Sequence, residues 1–324
     1  MLSLETAKKL FQEQLEGYAI NGDPLSLYDP IRYTLSLGGK RIRPVLALMT
    51  GSIYSENMEA IFPAALALEV FHNFTLLHDD IMDNSSLRRN KPTVHVKWNT
   101  STAILSGDAM LILAFQIIQK SDAKSLPQIM DVFTQTALEV CEGQQFDMEF
   151  ESRMDVSEQE YLRMIELKTA VLLAASMKIG AIAAGAPLRD AELLYEAGIN
   201  LGLAFQLKDD LLDTFGNVTK FGKRIGGDII ENKKTYLFIV SRDQAEKSMR
   251  EELIRMYKTT TENEEEKIQT VCNIFIKTRV RELTEEKIQQ YIQKAFSCCE
   301  RLTSSTESKN ELSNLLDYLI SREN

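Results

Sequence analysis

His78-Asp79-Asp80-Ile81-Met82-Asp83 closes a long apolar run that begins near Pro63, and Lys208-Asp209-Asp210-Leu211-Leu212-Asp213 closes another. Residues three and four apart share a helix face, so each stretch presents its three carboxylates to one side. An apolar interior opposes such crowding through desolvation and like-charge repulsion. A hard cation among the oxygens reverses the balance: magnesium takes oxygen ligands, keeps several waters and completes its shell with phosphates. One such cluster alone reads equally well as a solvated helix end. Six of the seventeen aspartates fall in these two stretches, each ending an apolar helix, and the pair favours a cation site.

Working outward, apolar residues recur at helical spacing almost throughout, with no clear period-two stretch. The spacing predicts helices over 2–18, 26–37, 43–55, 59–83, 99–120, 126–151, 157–184, 189–214, 231–243 and 246–258, with three more to the end. All seven prolines lie at or before Pro187, and Pro44, Pro63 and Pro127 stand where helices should begin. No Pro/Gly/Ser-rich linker divides the chain, so residues 1–324 are expected to form one all-α domain. The motif-bearing core is about 38–240. Thr259 to Glu266 is the most loop-like late segment, and the charged helices of about 246–324 are expected to be peripheral to the chemistry.

Apolar residues make up 44% and charged residues 26%, as in a globular protein, and the net charge of −10 argues against nucleic acid as a partner. An anionic substrate would therefore need locally concentrated cations. Cys141, Cys272, Cys298 and Cys299 show neither a zinc-site nor a disulfide-framework spacing, so reduced thiols and a cytoplasmic setting are expected. The amphipathic, charged N-terminus is unlike a signal peptide. No eighteen-residue window is expected to span a bilayer, the nearest, Ala170 to Ala186, being interrupted by Lys178.

Cations gather at Gly38-Gly39-Lys40-Arg41-Ile42-Arg43-Pro44, where glycines end one helix and proline begins the next. Free backbone N–H groups, the helix dipole and charge-assisted bonds suit an anion there. His72 lies two turns before Asp79, near the carboxylate stripe, and reads equally as a core histidine or a phosphate ligand. Glu69 with His72 also forms ExxH, but a di-iron bundle needs a second such unit, and His78 and His95 do not supply it. Arg88 and Arg89 follow the first acidic motif; metal on one side and guanidinium forks on the other suit a diphosphate, while a salt bridge back to the aspartates is the plainer reading. Gln144, Gln145, Asp147, Lys168 and Thr169 put polar groups into otherwise apolar helices and are expected to face a wet cavity. Beyond the second motif, Gly222-Lys223-Arg224-Ile225-Gly226-Gly227-Asp228 and Lys233-Lys234-Thr235 bring cations back, so both halves repeat one plan.

These motifs, from GGKRIRP at Gly38 through DDIMD with LRR, KT at Lys168 and QLKDDLLD to KKT at Lys233, resemble the trans-isoprenyl diphosphate synthases of the polyprenyl synthetase family. The resemblance implies the isoprenoid synthase fold, a single helical bundle around a central cavity, and a homodimer. It implies that Asp79, Asp80, Asp83, Asp209, Asp210 and Asp213 hold three magnesium ions directly or through water. Lys40, Arg43, His72 and Arg89 match the isopentenyl diphosphate site. Arg88, Lys168, Thr169, Gln206, Lys223 and Lys233 match positions that hold the allylic diphosphate, and Asp79, Asp83, Lys168, Asp209 and Lys223 would carry the catalysis. The implied reaction is ionisation of the allylic C–O bond followed by attack of the isopentenyl double bond, with charge stabilisation, proximity and exclusion of water as its physical elements. Asn90, Ala170 and Leu237 depart from the commonest family pattern.

Phe74 and Thr75, five and four residues before Asp79, stand where the family sets chain length, and the bulky Phe74 implies a C20 or C15 product. An ideal helical wheel, however, places Leu76 and His72 beneath the carboxylates and Phe74 away from them. Synthesis of C30 to C40 chains is the alternative. A class I terpene cyclase shares the metal chemistry but has no use for the Lys40–Arg43 cluster. A helical interaction protein with acidic faces is the reading without an enzyme.

Overall fold

A computed structural model describes residues 1–216, 226–258 and 263–320. Helices occupy Leu4–Gly17, Leu25–Ser36, Ile42–Gly51, Met58–Met82, Val94–Lys97, Thr100–Ile118, Leu126–Ser152, Glu158–Ile165, Val171–Ala183, Leu188–Phe215, Gly227–Ile230, Tyr236–Gln244, Lys247–Lys258, Glu264–Lys277, Val280–Glu300 and Thr306–Ile320. Among the described residues the sole sheet pairs Leu87–Arg88 with Lys91–Pro92. The chain is all-α, as its periodicity predicts.

Two compact units emerge. The first comprises Met1–Thr134, Ala175–Leu194 and Thr303–Leu312; the second comprises Gln135–Ala174, Tyr195–Leu302 and the segment from Ser313. In the first, Met58–Met82 is buried on nearly every face from Ala64 to Phe71, the composition of a core helix rather than an amphipathic one. Gly180 brings two backbones together: a Cβ there would lie 2.1 Å from the Ala47 carbonyl oxygen. Thr50 Oγ1 donates to the Met177 carbonyl at 3.0 Å across the same contact. Asp190, fully buried, accepts from Tyr54 Oη and from the Thr303 amide and hydroxyl, tying the Thr303–Leu312 segment into this unit.

In the second unit the helix expected over 157–184 is interrupted. Glu158–Ile165, opened by a Ser157/Glu160 capping box, runs into a π-helical turn at Glu166–Ala170 before Val171–Ala183 resumes. Periodicity does not register one extra residue in a turn. A Cβ on Gly202 would lie 2.4 Å from Ala170 Cα, and one on Gly198 equally close to Ala174 Cα, so small residues let the two helices touch.

One further expectation is corrected. The helix expected over 231–243 begins only at Tyr236; Asn232, at φ 60°, ends the Gly227–Ile230 turn and Thr235 enters extended. The Arg88-Arg89 loop is a hairpin whose central residues, Arg89 and Asn90, both have positive φ, as a two-residue primed turn demands. Asn tolerates that conformation. Glu264–Lys277 packs on Gly227–Ile230, a Cβ on Gly226 would lie 2.9 Å from Ile268, and the buried Lys267 donates to Asn232 Oδ1 at 2.6 Å beside Lys233. Of the loop expected over 259–266, residues 259–262 lie outside the described residues and Asn263 caps the next helix.

The membrane expectation also changes. Met58–Met82 and Thr100–Ile118 are long and apolar enough to cross a bilayer by length and composition, with mean hydropathies of 1.5 and 1.7. Burial inside the unit accounts for the first, since a helix packed on all sides needs the composition of a span. The second keeps Ile104, Leu105 and Ile112 exposed.

Candidate functional site

The GGKRIRP junction builds a cationic cavity within the first unit. Gly38 and Gly39 take positive φ, 77° and 123°, after the Leu25–Ser36 helix, and Arg41, at φ 48°, caps Ile42–Gly51. Arg41 turns inward: its Nη1 lies 2.5 Å from Glu69 Oε1, and its Nη2 donates to the Leu35 carbonyl at 2.6 Å. Asn73 Nδ2 donates to the same Glu69 oxygen at 2.9 Å. Glu69 is thus committed to an arginine, consistent with the failure of the di-iron reading.

With Glu69 neutralised, the cavity of about 410 Å³ is lined by Lys40, Arg43, His72 and Arg89 together with Gly39, Arg41, Ile42 and Glu69. Arg43 Nη1 lies 3.0 Å from His72 Nε2. Guanidinium can only donate, so Nε2 accepts and the imidazole carries its proton on Nδ1. Burial, then the surrounding Arg43, Arg89, Arg88 and Arg41, hold the His72 pKa well below its usual value. Burial brings Arg43 down to about 10, and burial with Arg41 lowers Arg89. Arg89 also donates to the Gly38 carbonyl. Burial is the main cause of all three shifts; the neighbouring arginines add to it at His72 and Arg89, and an anion would offset that like-charge part. All four residues matched to the isopentenyl diphosphate site line the cavity.

In the first acidic motif the three carboxylates differ. Asp80 is 5% exposed, and Arg88 Nε and Nη2 both reach its Oδ1 at 2.7 Å. Burial raises the Asp80 pKa against the pull of Arg88. Arg88 Nη2 stands 3.7 Å from Asp79 Oδ2, and Asp83 is exposed at the C-cap. The salt bridge back to the aspartates is therefore present. Phe74, buried, meets His78 edge-on at 4.8 Å and Phe71 at 5.6 Å. Thr75 Oγ1 donates to the His72 carbonyl.

The second motif, in the second unit, repeats the division. Asp209 is exposed while Asp210 is 3% exposed. Tyr161 Oη donates to Asp210 Oδ2 at 2.6 Å, and Gln206 Nε2 to Oδ1 at 3.3 Å. Asp213 Oδ2 accepts from the Asp228 amide at 3.0 Å, and the Asp213 carbonyl accepts from the Gly226 amide at 2.7 Å. Burial and Asp228 push Asp210 up to about 8; burial and Asp213 push Asp228 up to about 7. Lys168 Nζ is 2.5 Å from Asp147 Oδ2, and Thr169 Oγ1 donates to Gln206 Oε1 at 3.2 Å. Gly143 makes room for this turn, since a Cβ there would lie 2.3 Å from the Lys168 nitrogen. Lys233 Nζ is 2.9 Å from Glu231 and 4.0 Å from Asp228. Lys223 lies outside the described residues.

Tyr161 and Asp228 escaped the sequence reading as site residues, and Arg41, read among the junction cations, turns instead to Glu69. A carboxylate in an apolar run, Glu69, was the signal for Arg41; an acid directly after Gly226-Gly227 was the signal for Asp228. Nothing local marks Tyr161. Among the described residues no group of three His, Cys, Asp or Glu side chains is gathered in a metal-ligating arrangement. The donor chemistry nevertheless fits a hard cation: the acids offer oxygen only, and burial, with a neighbouring acid second, already raises Asp210 and Asp228.

Residues 24–275 match the polyprenyl synthetase family. The geranylgeranyl diphosphate synthase of Methanosarcina mazei is 39% identical over 302 residues, 93% of this chain and 91% of that protein. The geranylfarnesyl diphosphate synthase of Natronomonas pharaonis is 40% identical over 239 residues, 68% of this chain and 70% of that one. A crystal structure of a geranylgeranyl pyrophosphate synthase shares 46% identity, covers all of both chains and superposes with a TM-score of 0.95. The chain belongs to the polyprenyl synthetase family, has the all-α isoprenoid synthase fold and is a transferase.

Proposed function

We propose that this protein is an all-trans short-chain isoprenyl diphosphate synthase that ionises an allylic diphosphate and joins it 1′–4 to isopentenyl diphosphate. The observation that carries the reading is the cationic cavity around Arg43, His72 and Arg89, whose one carboxylate, Glu69, is already held by Arg41. Such a pocket suits the diphosphate of the isopentenyl substrate, with Lys40 and Arg43 as charge and His72 as a neutral neighbour.

Asp79, Asp83, Asp209 and Asp213 would hold magnesium, with Asp80 and Asp210 bound beside it or anchored behind it. Magnesium when bound neutralises the departing diphosphate. Lys168, Thr169, Gln206, Lys233, Lys223 and, once released from Asp80, Arg88 bind the allylic diphosphate, and the fixed cations among them stabilise its growing charge. Holding the two substrates in contact replaces a separate nucleophile. Excluding water protects the allyl cation from quenching.

The product is C20 geranylgeranyl diphosphate or C15, with Phe74 and Thr75 setting the length. The geranylfarnesyl synthase relative favours a longer product as the second reading. The enzyme acts as a homodimer in the cytoplasm; the exposed Ile104, Leu105 and Ile112 support a second copy as cover for that face.

Labelled isopentenyl diphosphate with C5, C10 and C15 primers, followed by product chromatography, tests the reading. A hydrocarbon formed from the allylic substrate alone indicates a cyclase and overturns it. Asp79→Ala and Asp209→Ala should each lower turnover by about a thousandfold, with helical circular dichroism retained; near-parental turnover refutes the cation assignment.

A further inference from the structure

Tyr161 is fully enclosed in an apolar cluster that includes Phe150, Met164, Leu207 and Leu211. A phenylalanine would suit that packing, yet the phenol hydroxyl is spent on Asp210 Oδ2 at 2.6 Å. The other carboxylate oxygen receives Gln206 Nε2, and Gln206 Oε1 receives Thr169 Oγ1. A core has no use for a buried carboxylate and its donors; apolar residues of similar volume usually serve stability as well or better.

The π-turn explains how both ties form. Over eight α-helical residues the chain rotates about 800°, which would leave Tyr161 and Thr169 about 80° apart. The turn at Glu166–Ala170 absorbs one extra residue and reduces that offset to about 20°. Both hydroxyls then reach the Leu188–Phe215 helix, one on Asp210 and one on Gln206. Gly202 lets Ala170 approach closely, so the two helices touch at this level. Asp209 and Asp213 ride on the same helix one residue before and three after the pinned carboxylate.

We propose that Tyr161 is a positioning residue of the second acidic motif, holding Asp210 as the buried pin from which Asp209 and Asp213 are presented to a divalent cation. This rests on the reading of Asp209 and Asp213 as cation ligands. Tyr161→Phe keeps the ring and removes only the donor. The probe is Mn²⁺ binding followed by electron paramagnetic resonance, with a non-ionisable thio-analogue of the allylic diphosphate present.

Tyr161→Phe should weaken Mn²⁺ binding about tenfold, the scale of losing one donor to a buried polar group. It should lower kcat while the KM for isopentenyl diphosphate stays at the parental value. In a double-mutant cycle with Asp210→Asn, the two losses should be less than additive. Parental Mn²⁺ affinity in Tyr161→Phe, or fully additive losses, overturns the proposal. Asp209→Ala separates the two levels. If Asp209→Ala loses Mn²⁺ and Tyr161→Phe does not, only the role of Tyr161 fails. If Asp209→Ala binds Mn²⁺ normally, the ligand reading fails and the proposal with it.

Discussion

Arg41 Nη1 and Glu69 Oε1 stand 2.5 Å apart with side chains 7% and 3% exposed, a buried ion pair in the wall of the cationic cavity. Removing one partner strands the other as an uncompensated buried charge. Glu69→Ala should therefore cost about 3–5 kcal/mol, read as a lowered urea midpoint at constant slope. It should also raise the KM for isopentenyl diphosphate, because Arg41 caps the helix that carries Arg43. A stability change near zero contradicts the pairing.

His72 should remain neutral through the physiological range. Its folded pKa is held well below 6.5 by burial and the neighbouring arginines. Below pH 6.5 the unfolded chain therefore takes up a proton that the native protein refuses. The stability this group contributes is complete above 6.5 and declines as pH falls toward the folded value. Imidazole resonances assigned to His72 should show no inflection between about pH 6 and 8. A midpoint near the ordinary value would mean that the cavity is wetter and less positive than described.

Phe74 packs edge-on against His78 and tilted against Phe71. If its ring stops the growing chain, Phe74→Ala should shift the products to longer prenyl diphosphates. The same change should cost about 3–5 kcal/mol from the cavity it leaves. Chromatography and thermal denaturation read the two effects separately. An unchanged product distribution with the expected destabilisation would leave Phe74 a packing residue alone.

Leu105 and Ile112, each 59% exposed, mark the apolar face of Thr100–Ile118. Leu105→Glu together with Ile112→Glu should convert a dimer to monomers in sedimentation equilibrium without loss of helicity. Substituting exposed positions leaves the core intact, so a persisting dimer places the interface elsewhere.

The helices and both acidic motifs were readable along the chain because their signals are local. Apolar spacing near 3.6 residues and DDxxD spacing both describe one helix face. The same logic located the GGKRIRP junction, where glycine, cations and proline follow one another, and the structure gathers Lys40, Arg43, His72 and Arg89 around one cavity. The π-turn, the late start of Tyr236–Gln244 and the burial of Lys267 were not readable. Each depends on a neighbour far away in sequence, or on one residue too many in a turn.

The aspartates show the division best. Sequence spacing treats Asp79, Asp80 and Asp83 alike, and likewise Asp209, Asp210 and Asp213. Packing separates them: Asp80 goes to Arg88 on the hairpin that follows, Asp210 to Tyr161 from another helix, and Asp213 to the Asp228 amide. Helical periodicity assigns a residue to a face of its own helix. Which carboxylate is enclosed depends on what the rest of the chain lays against that face, and on the free energy of giving each buried charge a donor.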